Sequence, residues 1–198
     1  MRRLNRTLAA IAIGLVIAGS AAADTYTLDP AHTQVMFKVK HLGITTVSGD
    51  FGVFSGTFEF DPENFATGSA SVTIDVASVD TRNKDRDNHL RTSDFFDVEN
   101  HPEMTFKSTK IQNIKGDTFQ VVGDLTMRGV TKSVTLDVEY SGSATDPWGN
   151  EKAAFTATTE INRMDFGVSW SKVIETGGLV VSKDVKIILE VQGNKAKG

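Results

Sequence analysis

The residue types with the greatest potential for chemistry lie together in one polar stretch, SVDTRNKDRDNHLRTSDFFDV, residues 78–98. Arg86, Asp87 and His89 place a guanidinium, a carboxylate and an imidazole within four positions of each other. A carboxylate and an imidazole are the groups that general acid–base catalysis uses most. One hypothesis is therefore an enzyme, an isomerase or a hydrolase, in which Asp87 and His89 act as acid and base.

The remainder of the stretch favours a structural role as a lid. Between Asp80 and Asp94 it has one large apolar residue, Leu90, and it then places Phe95 and Phe96 side by side. A polar segment of this kind suits the rim of a hollow fold, where its side chains hydrogen-bond carbonyls and carboxylates. We interpret the two phenylalanines and Leu90 as an apolar plug.

Known catalytic and metal-binding motifs are absent from the sequence. It has no G-x-S-x-G nucleophile motif, and its histidines do not form the H-E-x-x-H pair of zinc hydrolases. It has no cysteine, which excludes disulfides and thiolate metal sites. These absences count against the enzyme hypothesis, and we predict no metal and no cofactor.

Strict alternation of apolar and polar residues predicts an all-β fold. It occurs in eight segments: residues 34–40, 51–60, 71–76, 103–108, 119–127, 133–140, 154–161 and 184–191. Short turn signals separate most of them, which indicates antiparallel neighbours that form a barrel or a sandwich. The polar stretch after the third segment is long enough for one or two short helices, with Asp80, Asn83 and Ser93 as candidate N-caps.

The apolar face of these strands is the candidate ligand-binding surface. Its candidate lumen residues are Phe37, Val39, Phe54, Phe58, Phe60, Ile74, Phe106, Leu125, Leu136, Phe155 and Ile187. An eight-stranded barrel is either filled by such side chains or holds one small ligand. The pattern alone is more typical of a filled core. For a hollow barrel we expect Gly56 and Gly123 to leave room for a ligand.

The first 23 residues read as a secretory signal peptide. Arg2, Arg3 and Arg6 precede the apolar run Leu8–Ala18, and Ala21-x-Ala23 is a small-residue cleavage pattern. The apolar run is too short to span a membrane. We therefore expect cleavage after Ala23, a single domain over residues 24–198, and no stable membrane insertion.

The charge of the chain limits its partners. It has 21 Lys and Arg against 25 Asp and Glu, a formal net charge of −4. Three of the arginines lie in the predicted signal peptide, so the remaining chain is more acidic still. This composition argues against nucleic acid and against anionic lipid headgroups as partners. The absence of cysteine fits a bacterial periplasm.

Several long blocks resemble the YceI-like family of exported polyisoprenoid-binding proteins. They are TYTLDPAHTQVMFKVKHLGITTVSGDF, SVDTRNKDRDNHLRTSDFFDVENHPEMTFKST, VVGDLTMRGVTKSVTLDV and DPWGNEKAAFTATTEINRMDFG. The resemblance implies an eight-stranded, lipocalin-like antiparallel barrel whose lumen holds a long isoprenoid chain, such as that of a quinone or a polyprenyl lipid. It also implies that catalytic residues are absent.

The resemblance extends to individual positions. Asp29 and His32 match the start of the family's first long strand. The lid motif is matched by Arg86, Asp87, His89, Leu90, Phe95 and Phe96.

Our leading hypothesis is a periplasmic carrier that sequesters an isoprenoid, with a homodimer as a possible assembly. Besides the enzyme, the other alternative is a stress-related interaction module with a filled barrel.

Overall fold

Alternating apolar and polar residues produce the β-strands that dominate the fold. The structure is a computed structural model, and it describes residues 23–173 and 179–197. The predicted signal peptide lies outside the described residues, apart from Ala23. The described strands are β1 (Asp24–Leu28), β2 (Gln34–His41), β3 (Thr45–Phe51), β4 (Phe54–Phe60), β5 (Ser69–Asp75), β6 (Val79–Asp80), β7 (Glu103–Lys115), β8 (Thr118–Met127), β9 (Val130–Thr145), β10 (Glu151–Asn162) and β11 (Val181–Lys195). The α-helix α1 (Lys84–Arg91) lies between β6 and β7.

Eight strands close into an antiparallel barrel, in the order β1-β4-β5-β7-β8-β9-β10-β11 and back to β1. The long strand β11 makes this closure possible because it has two partners on one edge. Its last residues pair with β1, with Leu28 opposite Gly193, and its first half pairs with β2, with Val39 opposite Val185. Strands β3 and β6 continue the sheet beyond β2. The predicted eight-stranded antiparallel barrel is confirmed.

The sequence prediction missed β1, β6 and all of β3 except its last residue, Phe51. It joined Phe51 to β4 in one predicted strand. Strand β1 is short, β6 has two residues, and β3 reads TTVSGDF, in which Val47 precedes a glycine and an aspartate rather than further apolar residues. The predicted strand 51–60 is interrupted at Gly52, between β3 and β4. The predicted helix is present as α1, and the side chain of Asn83 caps it by accepting a hydrogen bond from Arg86 N.

The strands define two ends of the barrel. At the lid end lie the β2–β3 turn, helix α1, the β8–β9 turn and the start of β11. At the far end lie the β7–β8 turn, the β9–β10 turn and residues 61–68 between β4 and β5. Buried apolar side chains form one cluster towards each end. The far cluster comprises Tyr26, Leu28, Phe58, Phe60, Phe119, Val121, Leu136, Val138, Ala153, Phe155 and Ala157. The lid-end cluster comprises Phe51, Ile74, Val76, Val79, Phe95, Met104, Leu125, Met127, Ile161, Phe166 and Val168.

The two glycines expected to leave room for a ligand have other roles. The ring of Phe106 lies directly over Gly123, where a Cβ would collide with it. At Gly56 a Cβ would collide with the backbone carbonyl of Ser71 on the neighbouring strand. The expectation is wrong at both positions, since an aromatic ring and a close backbone approach take the space.

Candidate ligand-binding cavity and its lid

A cavity of about 290 Å³ lies inside the barrel and extends along both apolar clusters. The lumen residues predicted from the sequence that line it are Phe37, Val39, Phe58, Phe60, Ile74, Phe106, Leu125, Leu136, Phe155 and Ile187. Phe54 is not part of the lining and instead packs against the two clusters. The sequence thus located the interior face, whereas contact of these residues with a ligand stays a prediction.

The lining is apolar with few exceptions. Its polar members are Thr33, Thr57, Glu59, Ser69, Thr159 and Arg163. The prediction omitted several apolar lining residues that share the same alternation, including Val35, Ile161 and Leu189. It also omitted Phe51, which is out of phase with the apolar face of segment 51–60, and Phe65, which lies outside the predicted strands.

Arg163 is a buried cation in this lining, with 5% of its surface exposed. Its guanidinium donates to three backbone carbonyls, those of Val168, Val181 and Ser182. No carboxylate of the described residues forms a salt bridge with it, and burial lowers the pKa of Arg163. The arginine therefore ties the end of β10 to the start of β11 beside the cavity, and the sequence gave no signal of this role.

Residues 81–98 form the lid, which begins with a closed network of polar contacts. The backbone N–H and hydroxyl of Thr81 both donate to the carboxylate of Asp87, which is buried. Arg86 donates from Nε to Thr81 Oγ1 at 2.7 Å and from Nη2 to the Thr81 carbonyl at 2.8 Å. His89 Nε2 lies 2.8 Å from Asp94 Oδ2. The three predicted anchors therefore brace the lid internally, and these bonds do not reach the barrel rim as expected.

Two arginines that the sequence analysis did not identify attach the lid to the barrel. Arg128, in the β8–β9 turn, donates to the carbonyls of Ser93 at 2.7 Å, Phe95 at 2.9 Å and Gly167 at 2.8 Å. Arg91 in α1 donates to the carbonyls of residues 77 and 79, both at 2.8 Å. Charge-assisted hydrogen bonds of this kind are among the stronger ones in proteins.

The predicted plug lies where the sequence suggested. Leu90, Phe95 and Phe96 all line the cavity. Phe95 is buried, and its ring centroid lies 5.1 Å from that of Trp170. Phe96 contacts Phe51 in an edge-to-face arrangement with centroids 5.8 Å apart. The lid therefore presents apolar side chains to the lumen and keeps its charged side chains out of the cavity lining.

Asp29 and His32 lie where β1 leads into β2; Asp29 is buried, His32 is exposed, and neither lines the cavity. The Asp29 carboxylate lies 2.9 Å from His32 Nδ1 and accepts from Ala31 N at 3.1 Å and Gln192 Nε2 at 3.1 Å. Burial alone would raise the pKa of Asp29, but these hydrogen bonds, chiefly that with His32, outweigh it and lower the pKa. The group therefore fixes the β1–β2 connection to β11.

A family model described as "YceI-like domain" matches residues 26–193. This chain belongs to the YceI-like family. A UPF0312 protein of Vibrio parahaemolyticus is 42% identical over 169 residues, which cover 84% of this chain and 88% of that protein.

Two solved structures share the YceI-like fold. The YCEI protein of Campylobacter jejuni is 39% identical, with a TM-score of 0.69, and the alignment covers 87% of this chain and 98% of that one. A polyisoprenoid-binding domain from Saccharophagus degradans is 17% identical, with a TM-score of 0.61 over 86% of this chain and 98% of that one. At that identity the second likeness shows the fold alone.

In this YceI-like protein the candidate acid and base are not arranged as a pair. Asp87 binds Thr81, His89 binds Asp94, and neither residue lines the cavity. Among the described residues, no three His, Asp or Glu side chains are grouped as metal ligands. The described part of the chain also has no helix that is both long and apolar enough to cross a membrane. The described cavity offers apolar burial, and Asp87 and His89 lie outside its lining.

Proposed function

We propose that this protein binds a long apolar isoprenoid, a quinone or a polyprenyl lipid, in the barrel cavity and carries it through the periplasm unchanged. The observation that supports the proposal is the cavity of about 290 Å³, whose lining is almost entirely apolar. A cavity with such walls excludes water and recognises a ligand mainly by its hydrocarbon surface. The polyisoprenoid-binding description of the Saccharophagus degradans domain, which shares this fold, adds support.

Burial of the ligand supplies sufficient free energy without a charged clamp. Apolar surface withdrawn from water contributes roughly 25 cal/mol per Å², so burial of about 400 Å² gives on the order of 10 kcal/mol before the cost of association. The cavity volume lies at the lower end of the range typical of ligand pockets, about 300–1,000 Å³. We therefore expect the cavity to enclose part of a long chain, and more of it when Phe95 and Phe96 move outwards.

The two alternative functions fit the geometry less well. An enzyme that uses Asp87 and His89 would need both groups at the substrate, whereas neither lines the cavity. An interaction module with a filled barrel would leave no space for a ligand, whereas this barrel contains a cavity of about 290 Å³. The absence of catalytic activity and of a cofactor stays a prediction, as do the possible homodimer and export to the periplasm with cleavage after Ala23.

Mass spectrometry under native conditions tests the proposal. The purified protein should carry an added mass that disappears on denaturation, and organic extraction should recover an isoprenoid from it. Ala157→Phe should reduce the added mass, because Ala157 lines the cavity and a phenyl ring there takes up part of its volume.

The matched control is Ala154→Phe on the same strand, at a position that does not line the cavity. This variant should retain the ligand. A clean apo mass from membrane-containing cells, together with no uptake of added quinone or polyprenol, would refute the proposal.

A further inference from the structure

The β2–β3 turn at the lid end places apolar residues where backbone and solvent both disfavour them. Leu42 and Gly43 have φ angles of 54° and 73°, and Ile44 N donates to the carbonyl of His41 at 3.1 Å. These are the features of a type I′ turn over residues 41–44, whose first central position prefers Asn, Asp or Gly; the ladder resumes with His41 opposite Thr45. A bulky residue with positive φ is uncommon. Ile44 follows it with 78% of its surface exposed.

Leu42 is unusual even within this protein. The other described non-glycine residues with positive φ are Arg82, Asp97, Asn113 and Arg128, all of them polar or charged. The equivalent turn between β8 and β9 has Arg128 at the same position, where its side chain is fully engaged with carbonyls. Leu42 is apolar at such a position and has 36% of its surface exposed, and backbone strain of this kind clusters at functional sites.

Exposed apolar side chains from neighbouring segments continue this surface. Leu42 N donates to the carbonyl of Val180, and Val180 N donates to the carbonyl of Lys172, both at 2.9 Å. Residues 179–180 therefore lie between Leu42 and the segment with Val173, and 72% of the surface of Val173 is exposed. We call Leu42, Ile44 and Val173 the apolar tip.

The apolar tip adjoins the cavity. Val39 and Val181 line the lumen at this end, and Val181 pairs with His41, the last residue before the turn. The path from the tip to the cavity lining is therefore a few residues long. A bilayer that received the tip would lie close to the end of the lumen.

Lysines lie on the elements that lead to the tip, four of them on β2 and β11 and one, Lys172, next to Val173. The lysine patch comprises Lys38, Lys40, Lys172, Lys183 and Lys186, all exposed. Lys38 and Lys186 are directly opposite each other in the ladder, a like-charge pair that destabilises a sheet. Within residues 23–173 and 179–197, the salt bridges formed by lysine involve Lys152 and Lys195 and none of the patch. The acids nearest in the ladder are Glu160 and Asp184.

We propose that the apolar tip and the lysine patch dock this protein transiently on an anionic bilayer. Leu42 and Ile44 would enter the boundary between headgroups and acyl chains, while the lysines contact the headgroups. The net charge of −4 argues against such a partner when it is averaged over the chain. At this end of the barrel the net charge is a poor guide, because lysines are concentrated near the exposed apolar residues and can attract an anionic surface.

A bilayer fits this surface better than a second copy of the chain. A symmetric dimer through the tip would bring two lysine patches together, and like charges across an interface oppose association. An anionic bilayer complements both parts of this surface: its headgroups attract the lysine patch, and its acyl chains accommodate the apolar tip. The proposal does not require a bound isoprenoid, so it stands or falls independently of the proposed function.

The far end supplies a matched control. Trp148 in the β9–β10 turn is 83% exposed, and Ile114 beside the β7–β8 turn is 43% exposed. Their turns carry Asp146, Glu151 and Asp117 instead of a lysine patch. Exposed apolar residues alone should therefore not bring this end to an anionic membrane.

Flotation of the purified protein with vesicles tests the proposal, with phosphatidylcholine vesicles compared with vesicles that also contain phosphatidylglycerol. We expect the wild-type protein to bind the anionic vesicles and to dissociate at high salt. The double change Leu42→Asn and Ile44→Ser should lower the partition coefficient by about tenfold or more, and asparagine also suits the turn. Removal of charge by Lys38→Gln, Lys40→Gln and Lys186→Gln should lower it by about fivefold per lysine.

Trp148→Ser combined with Ile114→Ser should leave binding unchanged, and circular dichroism checks that every variant is folded. Equal binding by the wild-type protein and the apolar-tip variant would overturn the proposal. Salt-insensitive binding to both kinds of vesicle would also overturn it. The absence of any vesicle binding would overturn it as well. In that case a dimer detected by sedimentation, and dissociated by the Leu42 and Ile44 changes, would assign the tip to contact between copies of the chain.

Discussion

The two ends of the barrel are closed in different ways. At the far end, aromatic rings carried mostly by the strands pack on one another. The ring centroid of Phe60 lies 4.9 Å from those of Tyr140 and Phe155, and the ring centroid of Tyr26 lies 5.1 Å from that of Phe58. At the lid end, a separate segment covers the lumen. Arg91 and Arg128 hold it through backbone carbonyls.

This difference indicates which end can open. Separation of the far end would break ladder pairing and expose several rings at once, because the strands themselves carry the packing. Movement of the lid would break hydrogen bonds that water can replace, and it would leave the closed ring of eight strands intact. We therefore expect the far end to determine stability and the lid to determine the rate of ligand exchange.

The largest expected effect is the loss of stability on truncation of a far-end ring. Phe58→Ala should cost about 3–5 kcal/mol with or without ligand, because Phe58 stacks on Tyr26 and covers Gly193. Phe37→Ala, nearer the lid end, should cost less in the apo protein, where the cavity already leaves that ring half-buried. It should also reduce the stabilisation that added ligand provides.

Chemical denaturation of both variants, with and without added isoprenoid, provides the measurement. If Phe37→Ala and Phe58→Ala cost the same large amount in both states, the barrel behaves as a solid core at both ends. That outcome would remove the contrast between them.

A smaller effect is expected from release of the lid. Arg128→Asn keeps a residue that suits the type I′ turn but removes the hydrogen bonds to Ser93, Phe95 and Gly167. We expect a loss of stability of about 1.5–3 kcal/mol and faster ligand release, since affinity changes usually appear in the off-rate. Release of a fluorescent isoprenoid, followed after dilution into vesicles, measures that rate.

Variants within the lid distinguish a gate from an active site. Asp87→Asn and His89→Gln should speed release to a lesser degree than Arg128→Asn, since their bonds stay inside the lid. Replacement of both Phe95 and Phe96 by Ser should speed release without any change to a titratable group. An acid–base catalyst would behave differently: turnover would be lost in the Asp87 and His89 variants while ligand release remained at the wild-type rate.

The sequence predicted well those features that depend on local periodicity. Phe37 and Val39 share a face because side chains alternate along a strand, and this holds whichever strand lies next to them. It predicted poorly those features that depend on distant neighbours. Arg128 contacts the carbonyls of residues 93 and 167, which lie 35 and 39 positions away in the chain. Every arginine can donate to carbonyls, so its residue type carries no information about which ones it reaches.

The same limit explains the errors at the glycines and at the lid. The sequence suggests free space beside Gly123 because glycine has no side chain, but the Phe106 ring from the neighbouring strand occupies that space. Asp87 was expected to reach the rim, but Thr81, six positions earlier in the chain, satisfies its carboxylate first. A local partner satisfies a polar side chain at a lower entropic cost than a distant one, because less of the chain must be ordered to bring them together.

The smallest expected effect concerns a polar contact that holds a far-end turn. The Asp146 carboxylate accepts hydrogen bonds from Asn150 Nδ2 and from the backbone N–H groups of Trp148 and Asn150, all at 2.9 Å. These bonds, chiefly those from Asn150, lower the pKa of Asp146 from 3.8 to about 2. A carboxyl whose pKa is lower in the folded state stabilises the fold above its unfolded pKa, and this contribution is lost as the pH falls through the folded pKa.

Thermal unfolding of the wild-type protein and of Asp146→Asn between pH 7 and pH 2 should therefore show a lower Tm for the variant near neutrality. The difference should shrink between about pH 4 and pH 2, where the wild-type carboxyl becomes protonated. Asp117→Asn, in the neighbouring β7–β8 turn, is the control, because no hydrogen bond to the Asp117 carboxylate is found in the described residues. A Tm difference for Asp146→Asn that stays constant down to pH 2 would show that the charge of Asp146 does not stabilise this turn. Ring packing and strand pairing would then matter more at the far end than this charged contact, which would sharpen its contrast with the hydrogen-bonded lid.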